Sequence, residues 1–279
     1  MAVWIEVLMK SKYVILSLYI FFWVKALILN SSSVSYTMPD IFQKSDMLKG
    51  ARHTIKDYCR LIWEDLQLQE INIYANYSLD QVEQENPQVQ PGGVWAPEKC
   101  VSFQHVAIII PYRDRLFHLI HLLRRLHPLL RRQHIEYQVF VLEQAGGTPF
   151  NRGMLMNIGV KESAKLGKFD CFIFHDVDLL PEHDRNIYMC DNNLRHLASA
   201  IDEMRYHVMF ENYAGGVVAL TESNFKKING YPNIYWGWGN EDDDFSARAK
   251  ITELRLTRPP EYIGRYKMVK HMKAERSSH

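Results

Sequence analysis

The 279-residue sequence has almost no net charge, because 33 basic side chains stand against 32 acidic ones. It therefore lacks the positive field with which a general nucleic-acid binder holds phosphates. Glycine and proline, at 14 and 11 residues, are too few for a fibrous or low-complexity chain. No internal repeat is visible. Cysteine is scarce too: Cys59, Cys100, Cys171 and Cys190 include no close CxxC pair. In an oxidising compartment that even number reads as two disulfides rather than a zinc site, with three pairings open. Aromatics, in contrast, are plentiful, and 15 Tyr, 13 Phe and 6 Trp exclude a disordered chain. The length allows one large globular domain or two small ones.

Long apolar runs are also missing, with one exception. Lys10 and Lys12 precede residues 13–29, which are apolar apart from Ser17 and Lys25. A cleaved signal would have a shorter apolar region ending in a small-residue site, and no such pattern follows closely. The run is long enough to span a bilayer if Lys25 snorkels to the interface, and the basic flank keeps the N-terminus cytosolic. The expected organisation is a cytoplasmic tail over 1–12, a signal anchor over 13–29, a lumenal stem over 30–57 and a folded domain over 58–279. A cleaved signal is the alternative. Sequons at Asn30 and Asn76 agree with a secretory route.

Residues 58–100 show little periodicity and read as an irregular lead-in stapled by a disulfide. From His105 the pattern changes. Val106-Ala107-Ile108-Ile109-Ile110 reads as a strand buried on both faces, and helical spacing follows over residues 116–130. Arg124, Arg125, Arg131 and Arg132 fall outside the apolar stripe of that helix and read as a solvated face. A second strand over 137–142, a helix over 152–166 and a third strand over 171–174 complete an alternation. It predicts an open, mostly parallel α/β sheet.

Ligands of such sheets bind at the carboxyl ends of the strands. The residues there form a cationic turn, Pro111-Tyr112-Arg113-Asp114-Arg115, a small-residue turn, Gln144-Ala145-Gly146-Gly147, and an acidic turn, His175-Asp176-Val177-Asp178. That combination suits an anionic ligand bridged by a divalent cation. Asp176 and Asp178, two residues apart in extended backbone, are expected to face one ligand together. Trp236-Gly237-Trp238-Gly239 offers flat apolar surface suited to sugar rings, and Glu241-Asp242-Asp243-Asp244 then open a helix. Four adjacent acids repel one another, and a carboxylate whose pKa they raise is a candidate general base. Met268 and His271 add a soft thioether and an imidazole, which favour Mn²⁺ over Mg²⁺.

These motifs, with Phe150-Asn151-Arg152 and the stretch Pro91-Gly92-Gly93-Val94-Trp95-Ala96-Pro97-Glu98-Lys99-Cys100, occur in the order and spacing of the β-1,4-galactosyltransferases. The resemblance runs from about residue 92 to residue 271. It implies a GT-A nucleotide-sugar transferase in a single-pass type II Golgi membrane protein, with disulfides Cys59–Cys100 and Cys171–Cys190. The implied donor is UDP-galactose, held by Pro111 to Arg115, Phe150 to Arg152, Val177, Asp178, Tyr213, Trp238 and His271. Manganese would be bound by Asp178, Met268 and His271. A terminal N-acetylglucosamine acceptor, or a glucose- or xylose-type one, would meet Phe210, Tyr213, Trp238, Asn240, Glu241, Asp242 and Asp243. Asp242 matches the catalytic base and Glu241 stands beside it. Tyr213 occupies the position that is smaller in relatives preferring N-acetylgalactosamine, which implies galactose.

Three departures accompany the resemblance. Asn240 replaces the usual glycine before the acids, and Glu203 stands where many relatives carry a lysine near the diphosphate. Relatives also continue past the position of His271 into a mobile loop that closes over the donor, whereas this sequence ends at His279. A site without that lid is therefore expected, with uncoupled or lost transfer as a consequence. The rival expectation is a noncatalytic lumenal protein that binds UDP-sugar or glycan.

Overall fold

Successive side chains of a strand face opposite sides of its sheet, so an unbroken apolar run needs cover on both. The computed structural model of the chain describes residues 4–8, 14–19, 58–62 and 64–271, and it supplies that cover. The strand over His105–Tyr112 sends Val106, Ile108 and Ile110 into one apolar cluster and Ala107 and Ile109 into another.

The elements in chain order are β1 (Trp4–Leu8), β2 (Val14–Tyr19), α1 (Leu79–Glu85), β3 (Val94–Trp95), β4 (His105–Tyr112), α2 (Leu116–Arg132), β5 (Glu136–Gln144), α3 (Arg152–Ser163), β6 (Cys171–His175), β7 (Leu179–Pro181), β8 (Leu194–His196), β9 (Ala200–Ile201), β10 (Val217–Thr221), α4 (Glu222–Lys227), α5 (Glu241–Ile251), β11 (Leu256–Thr257) and β12 (Arg265–Met268). The large sheet runs β1-β2-β5-β4-β6-β10-β8-β11, with β3 also on β5, and β7-β12-β9 form a small second sheet. The central trio β5-β4-β6 is parallel as expected. The sheet as a whole is mixed, which corrects the mostly parallel expectation. Among the described strands four pairings are parallel and four antiparallel, because β10 inserts antiparallel to both β6 and β8.

Leu119, Leu122, Leu123, Leu126, Leu129 and Leu130 of α2 cover one face of the trio, and Leu155, Met156 and Val160 of α3 cover the other. Gly159 permits the close approach of α3, since a Cβ there would lie 2.4 Å from Ile109 Cγ2. The arginines of α2 are not a solvated face. Arg125 and Arg132 both bond the fully buried Asp184, at 2.7 and 2.9 Å. Arg131 donates to Asn86 and Gln88, while Arg124 pairs with Glu85 and lies over the Tyr77 ring.

The lead-in is less irregular than expected. Ser78 caps α1 by accepting from the Gln81 N–H while the Gln81 side chain accepts from the Ser78 N–H, and the sequence signature of that box was there to be read. Both disulfides, Cys59–Cys100 and Cys171–Cys190, are formed as the resemblance implied. Asn76 is exposed just before α1, whereas Asn30 lies outside the described residues. Of the expected anchor over 13–29, Val14–Tyr19 forms strand β2, parallel to β5, and 13 and 20–29 lie outside the described residues. Among the described residues no helix is long and apolar enough to cross a membrane. The expected tail and stem lie largely or wholly outside the described residues as well.

Candidate active site

Four segments meet where the central parallel strands end. The cationic turn follows β4, with Pro111 and Tyr112 still in the strand and Arg115 at the N-cap of α2. Asp114 adopts a left-handed φ of 51°, a conformation in which Asp is among the better tolerated residues. Arg113 donates to the Thr148 carbonyl at 2.7 Å and stands over the Phe150 ring, which fastens this turn to the one after β5. Asn151 caps α3 by accepting from Met154 N–H at 2.9 Å, and its amide donates to the Asn233 carbonyl. The Gly237 N–H donates to the Phe150 carbonyl at 2.8 Å, tying the tryptophan segment to the same place.

Arg152, in the first turn of α3, answers the question of what offsets the adjacent acids. Its Nε donates to Asp176 at 2.5 Å, and its Nη1 donates to Asp242 at 2.6 Å and Glu241 at 3.2 Å. One cation thus serves three carboxylates, with the arginine side chain 11% exposed. Burial pushes the Asp242 carboxyl well above the ordinary carboxylate range; Arg152 opposes this, and Glu241 and Asp176 add to it. Burial likewise lifts Asp176 to about 6, against the pull of Arg152. Asp244 belongs elsewhere, bonded to Arg248 one turn on and accepting from the Tyr235 hydroxyl at 3.1 Å. Asp243 is exposed and lines a cavity of about 390 Å³ with Phe210, Asn212, Ser246, Ala247 and Lys250.

Asp176 and Asp178 do not point to one partner. They sit in the turn between β6 and β7 rather than in extended backbone, so the two-residue repeat no longer holds. Asp178 accepts from His271 Nε2 at 2.7 Å instead. Met268 is drawn alongside by the antiparallel pairing of β12 with β7, Met268 opposite Leu179, and the Val269 N–H donates to the Asp178 carbonyl at 2.8 Å. Asp178 and His271 therefore meet, and Met268 lies on the strand paired beside them. Glu203 pairs with Lys270 at 3.4 Å, so the position expected to lack a cation has a lysine beside it.

Val177 is buried between the two carboxylates, and Trp238 is half exposed. Gly237, Gly239 and Asn240 all have positive φ, at 96°, 97° and 75°, which curls the tryptophan segment into the start of α5. Asn240 replaces glycine in a conformation that Asn, among side-chain-bearing residues, accepts most readily. Tyr213 packs edge-to-face on Phe210, and Gly215 makes room for it, since a Cβ there would lie 2.5 Å from the tyrosine hydroxyl. Burial first, then Asp242, Asp176 and Glu241, push the Tyr213 hydroxyl upward against the pull of Arg152, so it stands neutral against the acid cluster.

Sequence reasoning missed the support behind the acidic turn. His175 Nδ1–H donates to the Asp176 carbonyl at 2.8 Å, so its Nε2 accepts from the Tyr188 hydroxyl at 2.9 Å, which accepts in turn from Tyr266 at 2.7 Å. Burial holds His175 neutral by pushing it down to about 4. Only the fold brings these residues together, and no local spacing announced them.

Two family descriptions match this chain: the N-terminal region of glycosyl transferase group 7 over residues 64–191, and the N-terminal domain of galactosyltransferase over residues 195–272. β-1,4-Galactosyltransferase 3 of Bos taurus is 47% identical over 195 residues, covering 70% of this chain and 49% of that protein. β-1,4-Galactosyltransferase 4 of Mus musculus is 44% identical over 194 residues, covering 70% and 56%. The chain thus spans about half the length of the curated relatives it matches. Among solved structures, the catalytic domain of Drosophila β-1,4-galactosyltransferase 7 with xylobiose superposes at a TM-score of 0.56 and 28% identity, covering 63% of this chain and 75% of that one. A mutant of the same Drosophila enzyme with manganese, UDP-Gal and xylobiose gives 0.50 at 32% identity, covering 56% and 64%.

Proposed function

The chain belongs to the β-1,4-galactosyltransferase family, and from that premise we propose that it transfers galactose from UDP-galactose to a sugar acceptor. The architecture is the GT-A arrangement. The acceptor is a terminal N-acetylglucosamine, or a glucose- or xylose-type sugar, and the new linkage is β-1,4. The observation that carries this reading is Asp242. It is a carboxylate raised by burial, held by Arg152 at 2.6 Å, at the head of a helix that follows an exposed tryptophan.

An acceptor hydroxyl is a weak nucleophile at neutral pH, so a positioned carboxylate must take its proton as the glycosidic bond forms. Asp242 has that role, with Glu241 and Asp243 beside it and the sugar ring on Trp238. The oxygen of the acceptor attacks the anomeric carbon as the bond to UDP breaks, and one displacement inverts the centre. On this reading Arg113, Arg115 and Arg152 would stabilise the negative charge that gathers on the departing diphosphate. Phe210, Tyr213 and Asn240 complete the sugar side, and the bulk of Tyr213 favours galactose over N-acetylgalactosamine.

A divalent cation fits the residues present. Asp178 and His271 already approach to 2.7 Å, and the pairing of Met268 with Leu179 brings the backbone of that residue alongside the turn that carries Asp178. A carboxylate, an imidazole and a sulfur together suit Mn²⁺. When bound there the ion would act as a Lewis acid toward diphosphate oxygens. The reading extends to a Golgi protein with a lumenal domain. Its support is the pair of disulfides, which persist in oxidising compartments.

The test supplies the chain with UDP-galactose, Mn²⁺ and a β-N-acetylglucosaminide, following product by mass spectrometry. Acceptor-dependent product abolished by EDTA is expected. Free galactose alone, or UDP binding without either product, would replace transfer with hydrolysis or with binding only.

The pH dependence has a definite sign. Asp242 accepts a proton only when ionised, so kcat falls as pH drops through its raised pKa. The acid limb of the profile should therefore lie above the value near 4 of an ordinary carboxylate. Glu241→Gln removes one charge that raises Asp242 and should move the limb to lower pH. A limb that stays put or moves up would contradict the assignment.

A further inference from the structure

Residues 205–216 form no helix or strand, yet they carry Phe210 and Tyr213. Their shape is held from outside. The Arg258 Nη2 donates to the carbonyls of Glu211 and Tyr213, both at 2.7 Å. Its Nε donates to His196 Nδ1 at 3.1 Å, and the other ring nitrogen of His196 donates to the Gly215 carbonyl at 2.9 Å. Two side chains thus take three carbonyls at alternate residues of one loop.

Strand register explains the pairing. β11 runs parallel to β8 with Leu256 opposite Leu194 and Thr257 opposite Arg195, so Arg258 follows in line with His196. Burial, reinforced by the charge of Arg258, pushes His196 down to about 3 and keeps it neutral. A neutral ring that accepts from Arg258 must donate from Nε2, and the Gly215 carbonyl is there to receive it. The ring of His196 also packs edge-to-face on Tyr213 at 5.4 Å. A guanidinium suits the position because its planar fork serves two carbonyls and an imidazole at once, which an ammonium cannot.

We infer that Arg258, acting with His196, is the positioning residue of the sugar-binding loop, setting where Phe210 and Tyr213 stand and hence which sugars the site accepts. This rests on the galactosyltransferase reading for the identity of the sugars, though not for the loop contacts. Tyr213 is taken to meet the sugar of the donor, whereas the donor turn and Arg152 lie on other elements, so the affinity for Mn²⁺–UDP without its sugar should not depend on the pair.

The experiment compares the full chain with Arg258→Met and Arg258→Lys. In Arg258→Met, hydrogen exchange over residues 205–216 should rise while β4, β5 and β6 stay protected. The acceptor KM should rise about tenfold or more and the preference for UDP-galactose over UDP-N-acetylgalactosamine should narrow, because small misplacements at a reacting centre are costly. Mn²⁺–UDP affinity should be unchanged, and Arg258→Lys should fall between the two. Unchanged exchange in the loop would overturn the inference, as would a loss of UDP affinity in step with the acceptor KM. If Arg258→Met does not fold, Arg258→Lys decides by the same readouts. If the unaltered chain transfers nothing, the functional reading fails and the exchange data still decide the clamp.

Discussion

Asp242→Asn should lower kcat for galactose transfer by about 10²- to 10⁴-fold, the usual worth of a positioned general base. The substitution is nearly isosteric, and the carboxyl it replaces is already biased toward its neutral form by burial. Arg152 retains Asp176 and Glu241 as partners, so the cluster keeps its geometry. Mn²⁺–UDP affinity should therefore persist, because the donor turn after β4 touches none of the substituted atoms. Asp243→Asn provides the contrast. Asp243 is exposed and faces the cavity beside Phe210 rather than Arg152. Its loss should raise the acceptor KM and leave kcat largely intact. Steady-state kinetics with Mn²⁺ and a β-N-acetylglucosaminide decide the matter. Equal activity in Asp242→Asn, or a kcat loss in Asp243→Asn as large, would displace Asp242 as the base.

The contrast between those two neighbours shows where the sequence was legible and where it was not. Continuous apolar runs marked β4, β5 and β6, because a strand covered on both faces has no polar side to break the run. Helical spacing marked α2 for the same reason of burial. The motifs at the strand ends then named the donor turn, the acidic turn and the tryptophan segment. Which of four consecutive acids meets Arg152 could not be read from their order. That depends on how α5 is aimed by three positive-φ residues, Gly237, Gly239 and Asn240. Asp176 and Asp178 part company because the strand ends at His175 and both lie in the turn beyond it, where the two-residue repeat of extended backbone no longer applies. β8, β9 and β11 are two or three residues long, too short for any period to show, and so Arg258 and His196 went unnoticed. The antiparallel strand β10 follows Gly215-Gly216, which reads as loop until its partners are known.

The arginines of α2 have the pattern of a solvated face but bond a buried carboxylate, and they carry the largest expected effect on stability. Asp184 is fully buried and receives Arg125, Arg132 and the Gln69 amide, while Gln133 donates to its backbone carbonyl. Helix α2, the lead-in after Cys59 and the loop before Cys190 are therefore joined at one carboxylate. Asp184→Ala would leave Arg125, whose side chain is 10% exposed, buried without a counter-charge. Removing one partner of a buried pair costs about 3–5 kcal/mol, against about 1 kcal/mol or less for an exposed pair. For a domain of this size that is a fall in Tm of about 10 °C. Arg132→Ala should cost less, because Arg132 is 32% exposed and Arg125 remains on the carboxylate. Denaturant or thermal unfolding of the two variants tests the order. A loss in Asp184→Ala no greater than in Arg132→Ala would mean that Arg125 finds water, and the carboxylate would then be a surface contact rather than a junction of the fold. Where Asp184→Ala remains folded, Mn²⁺–UDP affinity should be little changed, because the donor turn lies at the opposite end of α2, next to Arg115.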